Sequence, residues 1–111
     1  MTDPRREHVR RLLQVDAYIT DSHGQHPLTV QIIDIARMGV AFVSDRPMPT
    51  GAQFVLHFSF PGSAIRNEIT LTVVHSAPIG THGRYRNGAR FLTISEDCAE
   101  RIFEYVTTAP A

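Results

Sequence analysis

Lysine is absent from this 111-residue chain, so all eleven of its positive side chains are arginine. The planar guanidinium fork suits phosphate and guanine better than a mobile ammonium does. Eleven acidic side chains balance the arginines, leaving no net charge at neutral pH. A protein that grips long nucleic acid carries a basic excess, so that class is disfavoured. Aromatic content of 8% also leaves few stacking platforms for single-stranded nucleic acid. One cysteine, Cys98, rules out an internal disulfide. No apolar run approaches the ~20 residues that span a bilayer, and Met1-Thr2-Asp3-Pro4-Arg5-Arg6 lacks the apolar stretch of a secretory signal. A cytoplasmic location is expected, with no direct membrane insertion.

What is present reads as one globular domain. Hydrophobic residues at 42% and charged residues at 20% match ordinary soluble composition, and the length supports a single core. There is no internal repeat and no low-complexity tract. The segment Met1 to Arg11 is polar and rich in arginine, and it is expected to be a flexible arm. Residues 12–111 are expected to form the folded body.

From Val15 onward the hydrophobic period is close to two. Val15, Ala17 and Ile19 alternate with Asp16, Tyr18 and Thr20, and a polar turn follows at Asp21 to Pro27. The pattern recurs at Leu28 to Ile35, Val40 to Ser44, Phe54 to Phe60, Glu68 to Ser76 and Tyr85 to Ile94. Breakers separate these runs at Gly39, Pro47-Met48-Pro49, Pro61-Gly62 and Gly80 to Gly83. Short connections imply antiparallel pairing, and six such strands close most economically as a barrel. At the end of the chain Ser95 can cap a helix, Glu96 and Asp97 place acid in its first turn, and Ala99, Ile102, Phe103 and Val106 fall at helical spacing. The expected fold is all-β with a C-terminal helix: a six-stranded antiparallel β-barrel behind an N-terminal arm.

Two segments carry candidate chemistry. In Arg5-Arg6-Glu7-His8-Val9-Arg10-Arg11, Arg6 and Arg10 form R-x-x-x-R. Such a run is either a solvated charge cluster or a pair of forks able to bond phosphate, bond the guanine O6/N7 edge, or stack on a base. In Asp34-Ile35-Ala36-Arg37-Met38-Gly39, either a tight turn is being made, with Asp34 bonding turn amides, or Asp34 accepts from a guanine edge while Gly39 lets a ligand approach bare backbone.

Other groups are less promising. His23 and His26 flank a hairpin loop beside Asp21, a set that suits a polar turn better than a metal site. Cys98 falls beside the apolar stripe of the last helix and reads as a half-buried structural thiol. No paired carboxylates, phosphate-cradling glycine loop or G-x-S-x-G is found, so a binding protein is expected rather than an enzyme.

Arg6, Arg10, Asp34 and Gly39, in this order on a barrel-plus-helix pattern, resemble the PilZ domain family. That family joins R-x-x-x-R on an N-terminal arm to D/N-x-S-x-x-G on the barrel, and Tyr85-Arg86-Asn87-Gly88-Ala89-Arg90-Phe91-Leu92 is similar to its glycine-containing last strand. The resemblance covers nearly the whole chain. It implies a cyclic di-GMP receptor whose arm wraps the ligand against the barrel, using Arg5, Arg6, Arg10, Asp34, Ala36 and Gly39. It also implies an effector protein as partner, in motility, adhesion or exopolysaccharide control. Ala36 departs from the pattern by lacking the serine hydroxyl. The alternative is therefore a PilZ-type adaptor that binds protein and no longer binds nucleotide, as in the branch resembling type IV pilus assembly proteins.

Overall fold

The computed structural model describes residues 9–108. Six strands, β1 (Arg10–Thr20), β2 (Leu28–Ala36), β3 (Gly39–Ser44), β4 (Gln53–Phe58), β5 (Asn67–Ile79) and β6 (Arg84–Thr93), precede one helix, α1 (Glu96–Thr107). They close into a barrel in the order β1-β2-β3-β6-β5-β4, and every neighbouring pair is antiparallel. This is the architecture read from the alternation.

The inner faces of the strands make the core. Leu13, Ile19, Ile32, Ile35, Val40, Phe42, Leu56, Ile69, Leu71 and Val73 are fully buried. One end of the barrel is covered by α1, which inserts Cys98, Ile102 and Val106. The other end is crossed by the chain between β3 and β4, which are not neighbours in the barrel. Met48 in this crossing is buried in the core. Polar satisfaction here depends on Asn87, whose amide donates to the Phe42 carbonyl (3.2 Å) and to Ser44 Oγ (2.9 Å) and accepts from Ser76 Oγ (2.7 Å). A buried amide left without such partners would destabilise the fold.

Helix α1 begins where the sequence indicates. The Ser95 hydroxyl accepts from the Cys98 amide at 3.1 Å, satisfying one of the free donors of the first turn. Its buried stripe is shifted from the expected one. Cys98 is part of the core, whereas Phe103 lies on the outer side under the Arg37 guanidinium, 4.8 Å from the ring centroid. The buried stripe runs through Cys98, Ile102 and Val106 at four-residue spacing, which turns Phe103 outward, and Arg37 from the β2–β3 turn covers its exposed ring.

The start of β1 is a second difference. Arg10 and Arg11, assigned to the arm by their charge, belong to the strand; Arg5 and Arg6 lie outside the described residues. Strand alternation sends the neighbours to opposite faces. Arg11 turns toward α1, where its Nη1 donates to the carbonyls of Tyr105 (2.8 Å) and Thr108 (3.3 Å) and its guanidinium covers the Tyr105 ring at 4.1 Å. The last turn of α1 has no basic residue of its own. Arg11 thus supplies the positive charge that a helix C-terminus favours, and Tyr105 returns a hydroxyl bond to the Leu12 carbonyl at 2.6 Å.

Replacing Arg11 by alanine is expected to lower stability by about 1–3 kcal/mol, from loss of charged carbonyl bonds and the cation–π contact. Urea unfolding checks this, and a midpoint equal to the native one would show that Arg11 does not lock the helix.

Candidate functional site

The outer wall formed by β1, β2, β3 and β6 places Arg10, the described arginine of the first motif, beside the second motif. Strand β2 contains one residue more than β3 at this point, since Ile32 pairs with Phe42 while Asp34 already pairs with Ala41. The extra residue, Ile33, breaks the alternation. Val30 and Ile32 point inward and strict period two would bury Asp34 with them; after the bulge Ile35 enters the core instead, while Asp34 and Ala36 share the opposite parity, Asp34 half-buried and Ala36 only 5% exposed beneath its neighbours.

Arg10 pairs with Ala36 across β1 and β2. Its Nε and Nη2 both reach Asp34 Oδ1 at 2.6 Å. From the other side Arg86 on β6, fifty-two residues away in sequence, places Nη2 3.3 Å from Asp34 Oδ2. The carboxylate is 13% exposed, whereas the guanidinium groups of Arg10 and Arg86 are 46% and 52% exposed. Two half-solvated cations converge on one sheltered anion.

Between them the wall is bare of long side chains. Ala36 pairs with Gly39, Gly39 with Arg90, Asp34 with Ala41, and Ala41 with Gly88. Ala36, Gly39, Ala41 and Gly88 form the floor of a shelf bounded by Arg10 and Asp34 on one side and by Arg86 and Arg90 on the other; Ala36 and Ala41 are buried at its base, 5% and 4% exposed. Strands stand about 4.8 Å apart, so Arg10 and Arg90 flank a surface about 14 Å wide. The shelf suits a flat, polyanionic ligand. Arg86 was not among the candidates read from the sequence. Its outward direction follows from alternation on β6, but its contact with Asp34 exists only because β6 lies beside β3 in the closed barrel.

Gly39 has a structural reason of its own. A Cβ built there would stand 2.5 Å from the Ala89 carbonyl oxygen, so β3 and β6 approach too closely for any other residue. The turn reading and the binding reading of this glycine coexist: the close approach also levels the shelf.

The remaining candidates resolve differently. Asp21 Oδ1 accepts from the amides of His23 (2.9 Å) and Gln25 (2.8 Å), and its Oδ2 meets His26 Nδ1 at 2.8 Å. The His26 contact and then the Gln25 amide hold the Asp21 carboxyl below its usual value, as charge-accepting bonds do. This is a tied turn, and no group of three or more His, Cys, Asp or Glu side chains among the described residues is arranged to hold a metal ion. Cys98 is 1% exposed, more deeply buried than the half-buried thiol expected. Burial pushes its thiol pKa up, away from the thiolate that nucleophilic chemistry needs. On the far wall His57 stacks on Tyr18 at 4.4 Å, with Nε2 3.0 Å from Thr20 Oγ1 and Nδ1 3.5 Å from Glu68. Thr20 is buried, so its hydroxyl is closed to a substrate.

The family model for the PilZ domain matches residues 4–108. The chain belongs to the PilZ domain family. Comparison with curated proteins gives no match. Among solved structures this PilZ domain is similar to the Bacillus subtilis inhibitor of motility MotI/DgrA (15% identity, TM-score 0.75, 88% of this chain and 47% of that one). It is also similar to the Borreliella burgdorferi PlzA protein in complex with c-di-GMP (16%, 0.63, 96% and 38%). A third likeness is to the PilZ domain of YcgR from Escherichia coli with c-di-GMP (12%, 0.59, 87% and 85%). The chain spans about half or less of the length of the first two structures, and at these identities the likeness is one of fold. No helix among the described residues is long and apolar enough to cross a membrane.

Substituting Gly39 by alanine is expected to cost about 1–3 kcal/mol in the ligand-free protein, because strand backbone must shift. At Gly88 an added Cβ would meet only ordinary contacts at 3.9 Å, so Gly88→Ala is expected to be neutral or slightly stabilising. Urea midpoints of the two variants test the pair; equal stability would remove the close-approach account.

Proposed function

We propose that this PilZ domain is a cyclic di-GMP receptor that couples messenger level to a partner protein. The observation that carries the reading is the meeting of Arg10 with Asp34 beside Gly39, residues the two motifs supply from separate parts of the chain. In this reading Asp34 accepts the N1–H and N2–H donors of a guanine. Arg10 and Arg6 bond phosphate or the O6/N7 edge. Arg5 stacks on a base and favours capture of a self-stacked ligand pair. Gly39 and the small Ala36 let the ligand lie close to backbone. The wall needs no catalytic group for this task, and the protein acts as a binding module.

The c-di-GMP complexes among similar structures support the ligand class. The partner is an effector protein of motility, adhesion or exopolysaccharide control, the first being the process that the B. subtilis inhibitor of motility acts on. A cytoplasmic site of action suits a lone reduced thiol. One observation favours a second reading, an adaptor without nucleotide: Ala36 faces the shelf with no hydroxyl.

Calorimetric titration separates the two. Cyclic di-GMP is expected to release heat, whereas GMP and cyclic AMP, which cannot engage several arginines at once, bind far more weakly. Arg10→Ala is expected to weaken binding by about tenfold or more while moving the unliganded melting temperature only a little, because Arg10 is half solvated and Arg86 still pairs with the sheltered Asp34. Absence of heat at ligand up to ~1 mM would establish the adaptor.

Ala36→Ser restores the family residue on the same outward face. It is expected to tighten binding by up to about tenfold, the value of a neutral hydrogen bond. An unchanged or weaker dissociation constant at the same salt concentration would show that position 36 does not face the ligand.

A further inference from the structure

We propose that Arg86 is a ligand-binding residue of the same site, holding a phosphate of the nucleotide from the β6 side. Arg90 completes this second wall. The inference rests on the reading of the site as a nucleotide receptor and extends it to a strand that neither motif includes.

Asp34 is already served by Arg10, which directs two donors to one oxygen at 2.6 Å. Arg86 reaches the other oxygen through a single Nη2 contact at 3.3 Å. Most of its five N–H donors are therefore uncommitted to Asp34, and the group is half exposed. Arg90 is exposed on the same face, across from Gly39. Neither arginine is needed to fill space, because the side chains between them and Arg10 are Ala36, Gly39, Ala41 and Gly88.

Charge gives the second argument. Arg10, Arg86 and Arg90 around the single carboxylate of Asp34 leave two positive charges over, and a cyclic dinucleotide brings two phosphodiester negatives. When guanine donors occupy the oxygens of Asp34, Arg86 loses its resting partner. A phosphate oxygen presents the same acceptor geometry to the guanidinium fork. The neighbouring groove lined by Asp16, Gln31, Val43, Asp45 and Arg84, about 360 Å³, carries two carboxylates to one arginine and offers no comparable place for an anion. The recognition chemistry is confined to the Arg86–Arg90 part of β6.

The test uses the whole chain, cyclic di-GMP as probe, and calorimetry of the native protein beside Arg86→Gln and Arg84→Gln. Both substitutions remove one charge from the same face of the same strand, so they share any general loss of attraction. The expected result is a dissociation constant raised about tenfold or more in Arg86→Gln, little change in Arg84→Gln, and native melting temperatures for both unliganded variants. Arg86→Lys, which keeps charge but loses the fork, is expected to recover only part of the affinity. Native-like binding by Arg86→Gln, or an equal loss in Arg84→Gln, overturns the assignment while leaving the receptor reading in place. Failure of the native protein to bind overturns both.

Discussion

The extra residue at Ile33 is the constraint on which the candidate site depends. Because inward-facing Val30 and Ile32 share the parity of Asp34, an unbroken β2 would drive a carboxylate into a core made of isoleucine, valine and phenylalanine. An unpaired buried charge is strongly destabilising. The bulge reverses the parity, returns Ile35 to the core, and delivers Asp34 and Ala36 to the outer wall. Once there, Asp34 lies within reach of Arg10 on one neighbouring strand and of Arg86 two strands away. A local irregularity thus re-aims a candidate site side chain.

Alternation then divides labour between adjacent arginines. Arg10 turns outward to Asp34, while Arg11 turns to the end of the barrel and binds the C-terminal carbonyls of α1. One short piece of β1 therefore anchors the helix and furnishes the site. In the proposed account, an event that moves Arg10 is felt beside a helix end held by the next residue. The Arg37 contact with Phe103 places a second link between α1 and the β2–β3 turn that follows Ala36. These contacts join the shelf to α1 from both sides.

Much of the architecture was legible in the sequence because each element follows a local rule. Period-two runs between glycine and proline breakers located the strands, and Ser95 followed by Glu96 and Asp97 located the helix start. The family likeness brought Arg10, Asp34 and Gly39 forward before any geometry was known. What escaped was long-range or context-dependent. The charge of Arg10 and Arg11 resembled a solvated arm, although both belong to β1 and pair with β2. The bulge at Ile33 leaves no composition cue in a run of isoleucines. Cys98 and Phe103 exchanged expected environments because α1 docks through Cys98, Ile102 and Val106, a phase that leaves Phe103 outside under Arg37. The closeness of Arg86 to Asp34 requires barrel closure with β6 beside β3, which period-two reading does not supply.

In the proposed reading two arginine walls and Asp34 surround one nucleotide shelf. A crystal structure of the full chain with cyclic di-GMP tests it most directly. The account predicts a guanine edge on Asp34, ligand against Ala36, Gly39 and Ala41, and phosphate oxygens within hydrogen-bond distance of Arg10 and Arg86. A ligand bound elsewhere, with the Arg10–Asp34 and Arg86–Asp34 pairs intact, would contradict it.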